Sequence, residues 1–343
     1  MSTPRSLELP YRVRSVTMPT DRGDFAALEA QPGHGVCERR PALLIPGYTG
    51  SKEDFLPVLE PLAAADRTVV AMDLRGQYQS PPAAERDGYA AAELAADVLA
   101  VAAAVGQADG TFQSFAVQDS AGQDPSGQGP VSVHLVGHSM GGLIARHAAL
   151  LRTGRVLSLT LLSSGPGAIG GERAVALRQL LAILDPHQGR DPDDRDQLGA
   201  SIARLWRERL EPQARLDATD EGIIAFLRER TFRTCPIGLI AMARYLLTCP
   251  DRTSELAALS RPPGTASAPA PVALPVMVIY GENDDAWPPA AQQRMARALD
   301  AEQACIPGAA HSPAVEAPET TAQAMTTFWN AAERRRPASH SPR

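Results

Sequence analysis

Five short apolar runs constrain this chain more than any other feature: PALLIPG at 41–47, TVVAMD at 68–73, VSVHLVG at 131–137, VLSLTLLSS at 156–164 and PVMVIYG at 275–281. Each is too short for a buried helix and is bounded by Gly, Pro or polar turn residues, which marks a strand. Such runs are mostly apolar throughout, as expected where both faces of a parallel sheet are covered. Helical periodicity lies between them. Ser51 is placed to cap a helix whose apolar positions are Phe55, Leu56 and Leu59, an Ala-rich amphipathic helix occupies about 89–105, and another begins near Ser139. The alternation predicts an α/β fold, a mostly parallel, doubly wound sheet. Ahead of it, YRVRSVTM (11–18) and DFAALEA (24–30) flank a turn at Asp21, Arg22 and Gly23 and read as an antiparallel hairpin.

The strand pattern stops between 166 and 260. There ERAVALRQLLAIL, ASIARLWRERL, EGIIAFLRERTF and IGLIAMARYLL carry apolar residues at three- and four-residue spacings. This predicts a helical cap over 166–260, inserted into a core made of 11–165 and 272–334. Three further segments are expected outside the packed structure: a flexible Gln/Gly/Ser-rich loop at 107–130, a Pro/Ala-rich linker at 261–274 and a frayed tail at 335–343.

Charge and cysteine usage narrow the function classes. A net charge of −6 over 343 residues offers nucleic acid or anionic lipid no general attraction. Lys52 is the sole lysine. No run reaches the roughly 18 apolar residues of a membrane span, and MSTPRSLELPYRVR lacks the apolar centre of a secretory signal, so the cytoplasm is the expected location. Cys37, Cys235, Cys249 and Cys305 show no CxxC spacing and are expected as reduced, packed thiols; no metal and no cofactor are expected.

The chemistry is concentrated at Gly137-His138-Ser139-Met140-Gly141, between the strand VSVHLV and the helix GLIARHAALL. A sharp strand-to-helix turn projects its middle residue, and glycines on either side avoid a clash with neighbouring elements. Ser139 would stand at a helix N-terminus, where free N–H groups favour developing negative charge. The plainer alternative is a helix cap with glycine packing.

This order of motifs resembles the α/β-hydrolase superfamily over about residues 11–330. The resemblance implies a triad in the order serine, acid, histidine, here Ser139, then Asp284 in YGENDDAWPP, then His311 in PGAAHSPAVEAPE, each just after an apolar strand. Asp284 fits the family's Gly-x-x-Asp pattern through Gly281 and Pro288, with Asp285 and Glu282 as competitors. His311 is the base candidate, whereas His34, His187 and His340 lie in polar or terminal segments, His134 in a strand, His147 along a helix and His138 at the elbow's variable position. The resemblance also implies backbone oxyanion donors at Met140 and at Tyr48, in the turn Pro46-Gly47-Tyr48-Thr49-Gly50, where Pro46 replaces the family's frequent histidine. Arg75 is expected in a loop-ordering ion pair.

A serine at the elbow argues against the dehalogenase and epoxide-hydrolase branches, which use a carboxylate. The expected reaction is acyl transfer to water from a small or medium apolar ester. Thioesterase, acyltransferase and cofactor-free haloperoxidase activities share the triad, and a non-catalytic ligand-binding protein is the rival from another class. Trp206, Ile223, Ile224, Phe226, Leu227, Leu239, Met242 and Tyr245 could line an acyl pocket, but helix packing is the plainer reading of that stripe. The oligomeric state is not legible.

Overall fold

A computed structural model describes residues 2–33, 37, 39–108, 132–151, 153–186, 195–218, 220–261 and 273–335. His34, His187, His340 and, apart from their margins, the expected loop, linker and tail lie outside these residues. Eight strands form one sheet: β1 (Val13–Thr20), β2 (Gly23–Ala30), β3 (Ala42–Ile45), β4 (Val69–Met72), β5 (Val133–His138), β6 (Val156–Leu162), β7 (Val276–Gly281) and β8 (Glu302–Ile306). Their order is β1-β2-β4-β3-β5-β6-β7-β8. The hairpin β1–β2 is antiparallel and β2 joins β4 antiparallel, while every pairing from β4 to β8 is parallel.

Alternate side chains of the parallel strands enter two separate cores, which is why the runs are apolar throughout. Leu43, Ile45, Leu135, Leu159, Leu161 and Val278 face α2 (Ala91–Ala108), α3 (Met140–Leu150) and α10 (Pro289–Leu299). Leu44, Ala71, Val136, Leu162, Met277 and Ile279 face α1 (Leu56–Ala63) and α12 (Pro318–Arg335). The turn after Ser51 begins as a 3-10 helix, Lys52–Phe55, before α1 continues it.

Between β6 and β7 the chain is helical: α4 (Gly171–Leu184), α5 (Arg195–Leu205), a π turn (Trp206–Leu210), α6 (Glu211–Asp217), α7 (Glu221–Arg233), α8 (Pro236–Thr248) and α9 (Thr253–Ser260). Trp206, Ile223, Ile224, Phe226 and Leu227 close one buried cluster around Tyr78, and Ile183, Leu184, Ile202, Leu205, Leu239 and Ile240 form another against Tyr48. Met242 belongs to the sheet core, with Tyr245 packed against it. The stripe named in the sequence is therefore mostly packing. A buried ion pair joins this segment to the 3-10 turn that precedes α1: Arg230 Nη1 donates to Asp54 Oδ1 at 2.7 Å. Removing either partner would strand a buried charge.

The amino-terminal end of β5 holds a second polar knot. His134 Nε2 donates to Glu333 Oε1 at 2.9 Å, His134 Nδ1 lies 2.8 Å from Ser158 Oγ, and Arg67 donates to Glu333 at 2.9 Å. The His134 ring stacks on Trp329 at 5.3 Å. Burial lowers His134 to about 4; for Glu333 the opposing burial is outweighed by His134 and Arg67, which bring it down to about 2.

Arg75 takes the expected structural role, donating to Asp97 at 2.6 and 2.7 Å and to the Arg22 carbonyl. The cysteines depart from expectation in one case. None of the four is joined in a disulfide, but Cys305 is exposed, because β8 is the edge strand and this position faces outward.

Candidate active site

Every sequence-predicted site residue sits at the carboxyl edge of the parallel strands, where open α/β sheets place ligands. Ser139 follows β5, Asp284 follows β7, His311 follows β8, and the Pro46–Gly50 turn follows β3. The elbow is strained as the motif requires: Ser139 has φ 55° and ψ −121°, a conformation costly for any residue with a Cβ. Its N–H donates to the Leu162 carbonyl at 2.9 Å, which ties the turn to β6.

The three separated side chains converge. Ser139 Oγ lies 3.0 Å from His311 Nε2, and His311 Nδ1 lies 3.0 Å from Asp284 Oδ1. The ionised carboxylate only accepts, so Nδ1 carries the proton and Nε2 is left to accept from the hydroxyl. Asp284 is buried, which pushes its carboxyl up, but His311, the Ala286 N–H and Gln292 Nε2 together hold it below the ordinary carboxylate range. The competing acids point elsewhere. Asp285, 60% exposed, pairs with Arg173 at 2.7 Å, and Glu282 accepts from the Gly308 N–H at 3.0 Å.

Close backbone approach makes the convergence possible. A Cβ at Gly281 would run into the carbonyl oxygens of Ala309 and Ala310, so only glycine lets the acid loop lie against the histidine loop. The proposed oxyanion turn is equally close: a Cβ at Gly47 would sit 3.0 Å from Ser139 Cβ. Met140 opens α3, so its N–H has no intrahelical acceptor. Tyr48 follows Gly47 directly. In place of the family's histidine, Gln77 supports this turn by donating Nε2–H to the Gly47 carbonyl at 2.9 Å.

Sequence reasoning missed Gln77, Gln292, His138 and Glu316. Gln292 had a readable signal: it stands on the buried stripe of α10 with Met295 and Leu299, a polar residue at an apolar position. Gln77 lies in a turn without periodicity and had none. A cleft of about 430 Å³ opens beside the histidine loop, with Ser312 and Glu316 on one side and Asp217, Asp220 and Ile223 on the other. Among the described residues, no cluster of His, Cys, Asp and Glu could hold a metal ion.

With that geometry in place, comparison with known proteins decides the lineage. The profile of the alpha/beta hydrolase family matches residues 42–324. The chain belongs to this family. A protein assigned as the carbamate hydrolase RutD of Variovorax paradoxus is 33% identical over 154 residues, 44% of this chain and 48% of its own length. The chain thus matches about half of that curated relative. Among solved structures, a protein assigned as a lipase from Acinetobacter baumannii superposes with a TM-score of 0.64 at 15% identity, covering 95% of this chain and 93% of its own. A protein assigned as an aryl esterase from Burkholderia cenocepacia gives 0.62 at 17% identity, covering 94% of this chain and all (100%) of its own. At these identities the superpositions speak for the α/β-hydrolase fold. No helix among the described residues is long and apolar enough to cross a membrane.

Proposed function

We propose that this α/β-hydrolase is a serine esterase that cleaves a small or medium apolar carboxylic ester through an acyl-enzyme. The observation that carries the reading is the strained Ser139 hydroxyl 3.0 Å from His311 Nε2, with Asp284 3.0 Å beyond on the other ring nitrogen. His311 accepts the Ser139 proton as Oγ attacks the carbonyl carbon, and Asp284 stabilises the imidazolium. The tetrahedral oxyanion rests on the Met140 and Tyr48 N–H groups at the positive end of α3. His311 then protonates the departing alkoxide, the alcohol leaves, and the same nitrogen deprotonates water to release the acid.

In this reading α4–α9, within 166–260, act as a cap over a core of 11–165 and 272–334. The partner is a small-molecule ester. The names of the relatives support hydrolysis at an acyl or carbamoyl carbon.

The test is intact-mass analysis after fluorophosphonate treatment, followed by a panel of esters and thioesters. One adduct on the native protein and none on Ser139→Ala is the expected result. A native protein that folds but takes no adduct overturns the reading in favour of ligand binding without catalysis. Faster turnover of thioesters than of matched esters moves it to a thioesterase.

A further inference from the structure

The elbow's variable residue makes a contact that spans 173 positions of sequence. His138 Nε2 lies 2.7 Å from the carbonyl oxygen of His311. A carbonyl only accepts, so His138 carries its proton on Nε2 and donates it. The two rings lie 5.0 Å apart, tilted by 46°. His138 is buried at 6% exposure, and burial, followed by the charge of His311, lowers it to about 3. Its donor is therefore present throughout the range in which an imidazole base works.

We propose that His138 is a positioning residue for His311: its hydrogen bond ties the main chain of the base to the residue that precedes the nucleophile. The proposal rests on the reading of Ser139, Asp284 and His311 as a catalytic set.

The rest of the loop shows why one donor matters. The Glu316 carboxylate accepts from the backbone N–H groups on both sides of the base, from Ala310 and, at 3.0 Å, from Ser312. Gly281 packs against the carbonyls of Ala309 and Ala310. These contacts fix the loop to α11 (Pro313–Glu316) and to β7, but neither refers to Ser139. Among the described residues, the His138 hydrogen bond is the one that ties the main chain of His311, rather than its ring, to the elbow itself. His138 Nδ1 also sits 3.3 Å from where a Cβ on Gly47 would lie, so the same ring abuts the turn that presents Tyr48 N–H. Nucleophile, base and oxyanion turn share this one side chain as a spacer.

Two variants separate the donor from the bulk of the ring. His138→Phe keeps a flat ring and removes the donor; His138→Gln places an amide N–H near the position of Nε2. Thermal midpoints establish that each variant folds. For His138→Phe the fluorophosphonate labelling rate and kcat are expected to fall by up to about 100-fold with KM unchanged, as for a misplaced catalytic group. His138→Gln is expected to recover most of that loss. Wild-type kcat and labelling rate in His138→Phe overturn the proposal, as does equal impairment of two variants that both fold. Long-range 15N–1H spectra of the histidine-labelled native protein provide a check that needs no variant. They are expected to show His138 as a neutral Nε2–H tautomer between pH 5 and 8, and an Nδ1–H tautomer overturns the proposal. Failure of the native protein itself to be labelled strikes the catalytic reading instead, with the tautomer intact.

Discussion

The sheet carries a serine–histidine–carboxylate set at each end. At the carboxyl edge stand Ser139, His311 and Asp284; about four strand residues away along β5, roughly 13 Å at 3.3 Å per residue, stand Ser158, His134 and Glu333. The hydrogen-bond lengths do not distinguish them, since 2.8 and 2.9 Å in the second set are as good as 3.0 and 3.0 Å in the first. Setting does. Ser158 lies inside a strand and its hydroxyl is sealed in, whereas Ser139 stands on a strained turn at a helix N-terminus. His134 is pinned under Trp329 with no exposure, while 19% of the His311 side chain is open. Glu333 is also neutralised by Arg67, and the imidazole is reversed, with Nε2 rather than Nδ1 on the acid. A relay of hydrogen bonds becomes a candidate nucleophile only with access, a free N–H for the oxyanion and a hydroxyl that can be approached.

The largest effect that would break this comparison is at the two serines. Ser139→Ala is expected to cost about 10⁴- to 10⁶-fold in kcat toward a hydrolysed ester. Ser158→Ala should leave turnover per folded molecule unchanged and cost about 1–3 kcal/mol in denaturant unfolding, the range for a buried group that loses its partner. A reversed ranking would exchange the roles of the two sets. At the acids, Asp284→Asn should lower kcat by about 10⁴-fold. Asp285→Asn, which loses only an exposed ion pair to Arg173, should stay near wild type. Steady-state kinetics of the pair decides it.

The remaining effects concern stability. Glu333→Ala leaves Arg67 buried without its counter-charge and is expected to cost about 3–5 kcal/mol by urea unfolding, with kcat of the folded fraction intact. A pH dependence accompanies these losses. His134, ordinarily near 6.5, is lowered to about 4 by burial, so the unfolded chain takes up its proton first and stability falls as pH drops from about 6.5 toward 4. Glu333, lowered from 4.5 to about 2, adds a further loss as pH falls from about 4.5 toward 2. His138, also lowered by burial, contributes in the same direction as His134. Thermal midpoints of Glu333→Ala should therefore lack this carboxylate's own contribution to the decline below about pH 4.5, while the His134 contribution above it remains.

The reach of the sequence divides along the same line. Ser139, Asp284 and His311 were legible because each lies just past an apolar strand, and strands in a parallel sheet deliver their following loops to one edge. The preference for Asp284 over its neighbour came from the resemblance to the family's Gly-x-x-Asp pattern at Gly281 and Pro288, and Asp284 lies 3.0 Å from His311 Nδ1. The groups that support them were not legible. Glu333 reaches His134 across 199 residues, Arg230 reaches Asp54 across 176, and His138 reaches His311 across 173, so no local pattern announces any of these pairs. Cys305 was misjudged for a related reason: which strand lies at the sheet's edge is a property of strand order, and apolar content alone does not reveal it.

Lys52, the sole lysine of the chain, is 1% exposed, its ammonium enclosed by Asp73 at 3.0 Å, Glu53 at 2.8 Å and Gln79 at 2.7 Å. The folded protein thus offers acylating reagents and lysine-modifying enzymes no side-chain amine on its surface. Acylation of Lys52, read by peptide mass mapping, would clock the opening of one corner of the molecule, the corner that begins four residues after Tyr48.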